Sequence, residues 1–161
     1  MAVLDAGTYL ATVRTVLSGL SAWQTLCGVS TAAEAIQHIH FGALDLDKDA
    51  SPGDENPCMI LDVTSLPTEW KGNRLHGTIT VEIRVYLSMP ESERATYGSQ
   101  YVWVWSKFSA ILDAINGVVG DAGEIMIRSM AVPLFPGRVD PDNNGGESEW
   151  LFVLSLTSDI I

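Results

Sequence analysis

Three histidines, two cysteines and two acid-rich loops are the residues here whose types and spacing could do chemistry. His38 and His40 stand two apart, a spacing that on a helix turns the rings about 200° from each other. They could share a metal ion only on a strand, and no third ligand of suitable type is near in sequence. The spacing therefore predicts one His at a helix end and one half-buried. His76, next to Gly77, reads as a strand-edge residue rather than a base. No GxSxG, HExxH, GxxxxGK[ST] or GxGxxG occurs, so the common nucleophile, zinc and phosphate motifs are missing.

The acidic loops come closest to a ligand template, D-x-[DN]-x-[DN]-G-x5-E, which wraps calcium with a bidentate Glu in the last position. Asp45, Asp47 and Asp49 fill the first three positions, but Ala50 replaces the turn glycine and Asn56 stands in the place of the Glu. Asp140, Asp142, Asn144 and Gly145 match the first half better, yet Leu151 occupies the last position. Lacking the bidentate carboxylate, both are expected to be solvated loops, with Asp140, Asp142 and Asn144 the nearer to a calcium loop. No catalytic residue and no cofactor are expected.

Cys27 and Cys58 are the only cysteines, with no CxxC, so neither a zinc ribbon nor a disulfide framework is available. Each sits in apolar company and reads as a small hydrophobe. Trp103 and Trp105 differ in a more useful way. Trp105 falls on an apolar helical stripe, whereas Trp103 points about 200° away from it. Trp103 is then a candidate interface residue, or it packs within the molecule, or it offers a ligand-stacking surface; if residues 101–104 are extended, both rings lie on one face.

The elements that must position these groups follow from periodicity. Leu10, Val13, Leu17 and Leu20 form one helical face, with Asp5 available as a cap. Gly19 and Ser21 interrupt it, and Trp23 and Leu26 carry it to Gly28. Thr31 and Glu34 have capping-box spacing and open a short second helix that buries Ala35, Ile36 and Ile39, with Gly42 placed to stop it. Cys58 to Val63 is apolar enough for a central strand, and a turn-rich stretch with Pro67, Gly72 and Asn73 follows it. Ile79, Val81, Ile83, Val85 and Leu87 alternate with polar residues, which marks a strand with one buried face.

Tyr101, Trp105, Phe108, Leu112, Ile115 and Val119 make a second helical stripe. Strands at Ile125 to Phe135 and Glu149 to Thr157 follow, separated by a linker rich in Pro, Gly and Asn. Residues 45–55 and 136–148 are expected to exchange their amide protons rapidly, since neither holds enough apolar surface to offset ordering entropy. The order helix, (helix), strand, strand, helix, strand, strand predicts an α+β fold. Helices would pack on one face of a largely antiparallel four-stranded sheet, in one domain spanning residues 1–161.

Composition narrows the function classes. The chain has 161 residues, 20 acidic against 9 basic, and a net charge of -11. Such acidity disfavours both a nucleic-acid grip and an anionic membrane surface. Residues 45–55 hold five acids and one Lys, and residues 140–149 hold four acids and no base, so these loops carry most of the net charge. No apolar run approaches the length of a membrane span, and Met1 to Asp5 lacks the basic start of a signal peptide. A reducing cytoplasm is the expected place of synthesis.

Residues 17–29, followed by Thr31-Ala32-Ala33-Glu34-Ala35 and Ile36 to His40, resemble a pattern common in prophage proteins of this size. With the Asn56 to Leu61 strand entry and the element order, the whole chain resembles the tail terminator and tail-completion proteins of long-tailed bacteriophages, the group of the lambda minor tail protein U. That resemblance implies helices on a twisted antiparallel sheet. It also implies a homo-hexameric ring, assembled in the host cytoplasm and carried in the virion, that caps the tail tube and joins it to the head. The partners implied are copies of itself, the tail tube protein and the head-neck or stopper protein, with DNA passing through unbound and no membrane. Another neck, head-completion or tail-tube protein is the nearest alternative, and a small cellular enzyme or ligand-binding α+β domain the more distant one.

Overall fold

The computed structural model describes residues 6–42, 57–118, 127–139 and 149–160. The two calcium-loop segments, with Asp45, Asp47, Asp49, Asp140, Asp142 and Asn144, lie outside them, as does the expected cap Asp5.

Among the described residues, three α-helices precede four strands, and a fourth helix precedes the last two. Helix α1 (Ala6–Gly19) buries Tyr9, Val13, Leu17 and Ser18, close to the expected face, with Leu10 packed at its margin. Helix α2 (Ser21–Cys27) buries Trp23, whose indole N–H donates to the carbonyl of Ala35 at 3.3 Å. Gly28 ends α2 at φ 69, and the Val29 and Gly28 amides close on the Gln24 and Thr25 carbonyls. This is the glycine-capped geometry in which a side chain at Gly28 would be strained.

Helix α3 (Ala32–Ala35) is shorter than its pattern predicts. Its cap forms as read: the Thr31 hydroxyl accepts from the Glu34 amide and donates to the Glu34 carboxylate. That hydroxyl, then the Ser30 amide, hold the Glu34 pKa below its ordinary value. Beyond Ala35 the chain tightens into a 3-10 turn (Ile36–His38) and extends into strand β1 (Ile39–Phe41). The expected helical burial of Ile36 and Ile39 is thus corrected, because β1 pairs in parallel with strand β2 (Cys58–Ser65), Ile39 opposite Met59. β-branched Ile39 gains a fully buried place in the sheet, which outweighs a weak helical preference.

Strand β3 (Thr68–Lys71) falls in the stretch read as turns, and strand β4 (Arg74–Ser88) is the long alternating strand. Helix α4 (Tyr97–Val118) and strands β5 (Ile127–Arg138) and β6 (Glu149–Ile160) complete the order. The sheet is open and runs β1-β2-β4-β6-β5, with β3 added alongside β4. It has six strands rather than four, all pairs antiparallel except β1 with β2.

All helices with large buried side chains share one face of this sheet. Met59 and Leu61, Ile79 to Leu87 in alternation, and Trp150, Phe152, Leu154 and Leu156 join Val13, Leu17, Trp23, Phe108 and Ile111 in one cluster. The opposite face carries Asp62, Glu82 and Arg84, with Arg84 bridging to both carboxylates at 3.7 and 2.8 Å. Period-2 alternation in β4 and β6 is what separates the two faces.

Candidate interaction surface

Helix α4 positions the aromatic side chains. Its start is fixed by a reciprocal cap: the Ser99 amide donates to the Thr96 hydroxyl at 3.1 Å, and the Thr96 amide donates to the Ser99 hydroxyl at 3.3 Å. The preceding 3-10 turn (Glu91–Glu93) is tied on by the Gln100 amide group donating to the Arg94 carbonyl.

The buried stripe of α4 is Val104, Phe108, Ile111 and Ile115. It shares Phe108 and Ile115 with the predicted stripe but is rotated away from Tyr101, Trp105 and Leu112, which flank it. The reason is the sheet boundary. β5 is the edge strand, and the flank of α4 beside it meets a single ring there, Phe135, among the described residues, so the large rings at 101 and 105 stay partly in solvent while Val104 and Ile111 are buried. Val119 lies outside the described residues.

On this flank an aromatic chain runs from helix to edge. Trp105 stacks on Phe135 of β5 with centroids 5.8 Å apart and planes 23° apart. Tyr101 approaches Trp105 at 5.9 Å, and Phe108 joins both Phe135 and the core ring of Phe152, at 6.3 and 5.1 Å. The outer members remain open: Phe135 is 58% exposed, Tyr101 44% and Val102 69%. The Trp105 indole nitrogen is shielded from water with no acceptor among the described residues.

Trp103 lies on the opposite flank of α4. The extended alternative for residues 101–104 falls, since the helix is continuous from Tyr97. Trp103 is partly buried against the core, with the Lys107 ammonium 5.7 Å from its ring centroid. The groove between α2 and α4, lined by Ser21, Thr25, Leu26, Lys107 and Ile111, holds about 210 Å³. That is below the ~300 Å³ at which small-molecule sites begin.

The histidines sit apart. His38 ends the 3-10 turn with Nδ1 2.9 Å from the Pro57 carbonyl, and His40 lies half-buried on β1. Among the described residues no three His, Cys, Asp or Glu side chains stand close enough to hold a metal ion. Neither Cys27 nor Cys58 is in a disulfide, and burial pushes the Cys27 thiol up to about 12, which disfavours its thiolate. Among the described residues no helix is long and apolar enough to cross a membrane.

Two exposed features escaped the sequence reading. Phe135 sits in Pro133-Leu134-Phe135-Pro136, and a strand with two prolines is an edge strand, a signal that was there to use. Trp70, 69% exposed on β3, carried no signal, because its strand was hidden among turn residues. In comparison with known proteins, no family model matches the chain, and no curated protein matches it in sequence.

Proposed function

We propose that this chain is a structural virion protein, a tail terminator that caps the tail tube of a long-tailed phage as a ring and offers the surface that joins tail to head. The observation that carries the reading is the aromatic chain Tyr101–Trp105–Phe135, which leaves an apolar surface open across α4 and the edge strand. Exposed contiguous aromatic surface of this kind is a feature of protein contacts. A six-stranded open sheet covered by helices on one face agrees with the fold that the family resemblance implies.

In this reading the working surfaces are contacts with neighbouring copies, with the tail tube below and with a neck protein above. No catalytic step is assigned. The net charge of -11 supports passage of DNA without adhesion, since phosphates are repelled by an acidic bore. Trp103 is a second candidate contact, on the other flank of α4.

Deletion of the gene from its parent phage, scored by electron microscopy, tests the proposal. Tails of uncontrolled length that fail to join heads are expected. Normal tails joined to heads would overturn it.

A further inference from the structure

Strand β4 has 15 residues, and its first three are paired on one side only among the described residues. Its pairing with β6 ends at Gly77 opposite Ile160, and its pairing with β2 ends at Thr80 opposite Ser65. From Arg74 to His76 its sole neighbour among the described residues is β3, register Lys71 to Arg74 through Thr68 to Gly77. A two-residue turn at Gly72 and Asn73, with Gly72 at φ 64, closes this ribbon. Every residue of β3 is exposed. A two-stranded ribbon of this kind is marginally stable alone, and Trp70 on it has found no cover among the described residues of its own chain.

The ribbon and the aromatic patch lie at opposite ends of the sheet. Phe135 follows Leu134, which is level with Val153 and, across β6, with Arg84. From Arg84 to the turn the strand runs roughly 35 Å, at ~3.3 Å per residue. The arm therefore cannot fold back onto its own patch. We infer that the β3–β4 arm of one copy docks on the patch of the next copy, Trp70 against Val102, Trp105 and Phe135.

Charge agrees with the pairing. In a chain of net charge -11, the ribbon from Thr68 to Gly77 holds Lys71 and Arg74 against one acid, Glu69, which pairs with Lys71 at 2.6 Å, and so carries a net charge of +1. The receiving end of α4 is preceded by Glu91, Glu93 and Arg94, a net charge of -1. The contact is heterologous, arm to patch rather than like to like, and repetition of such a contact closes a ring or extends a filament. The inference rests on the ring reading above for its biological use, and its test is separate.

Two exposed substitutions provide that test, Trp70→Ala on the arm and Val102→Asp on the patch, with circular dichroism to verify the fold of each. Native mass spectrometry and light scattering at concentrations up to about 1 mM are expected to show wild-type assembly, weakened about thirtyfold or more in either variant. A 1:1 mixture of the two variants keeps one intact pair, the arm of Val102→Asp with the patch of Trp70→Ala, and should stop at heterodimers. Variants that assemble like wild type, a mixture that stays monomeric, or a wild type monomeric throughout would each overturn the inference. The gene deletion reports on the terminator role whatever this mixture does.

Discussion

The Tyr9 hydroxyl on α1 and the Ser158 hydroxyl on β6 share a buried hydrogen bond across 149 residues of sequence. Ser158 is fully buried and Tyr9 nearly so, which makes the pair a polar clasp inside an apolar layer. Tyr9→Phe leaves the Ser158 hydroxyl without this partner, and the expected loss is about 1–3 kcal/mol. Urea unfolding should show a lower midpoint with an unchanged slope. Adding Ser158→Ala should cost less than it does in the wild-type background, the coupling expected of bonded partners. Strict additivity of the two would show that the bond carries no stability.

Helix α4 supplies a comparison between its faces. Phe108→Ala and Ile111→Ala are each expected to cost about 2–5 kcal/mol, as for truncation of buried large side chains. Trp103→Ala and Leu112→Ala, on half-buried flanks, should cost distinctly less. Denaturant melts of the four variants check the order. A Trp103→Ala loss equal to that of Phe108→Ala would mean that the buried face is wrongly placed.

Alkaline stability should depend on Cys27. Its thiol is raised from 9.0 to about 12 in the fold by burial, so well below pH 9 it is protonated in both states and adds no pH dependence. Between pH 9 and 12 the unfolded chain releases a proton that the folded chain keeps, so stability falls as pH rises. Tyr9 and Tyr86, both raised mainly by burial, add to the fall above pH 10. Cys27→Ser is expected to flatten the fall between about pH 9 and 10, measured by urea midpoints at successive pH values. An unchanged slope would contradict the burial of the thiol.

Two glycines at helix ends should respond oppositely. Gly28 has φ 69 with open space where a methyl group would stand, so Gly28→Ala suffers backbone strain alone, about 1–2 kcal/mol. Gly19 closes α1 without a positive φ and also has open space. Gly19→Ala should be neutral or stabilising by up to ~1 kcal/mol. Thermal melts of the pair check the sign.

Much of the scaffold was legible because period alone places it. The alternation from Ile79 to Leu87 marked the central strand and its buried face, and Gly28 and Thr31 marked a helix end and a helix start. What stayed hidden depended on partners distant in sequence. Ile39 reads as helical until Met59 is beside it, and Thr68 to Lys71 reads as turn until Arg74 to Gly77 returns along it. The α4 stripe was off by a rotation because Trp105 looks like core, and only the position of the sheet edge moves it to the margin. The surface was least legible of all, since Phe135 and Trp70 are defined by what fails to cover them.

The strand order has a consequence for synthesis. β6 lies between β4 and β5, yet it leaves the ribosome after both. Until it arrives, β4 and β5 have no shared neighbour, and the apolar face that receives Phe152 and Leu154 is exposed on a nascent chain. Completion of the core is therefore a late, non-local step, of the kind that folds slowly and invites aggregation while it waits. Nascent chains stalled before Glu149 should be protease-sensitive throughout, and resistance should appear together in helices and sheet once Ile160 is free of the ribosome.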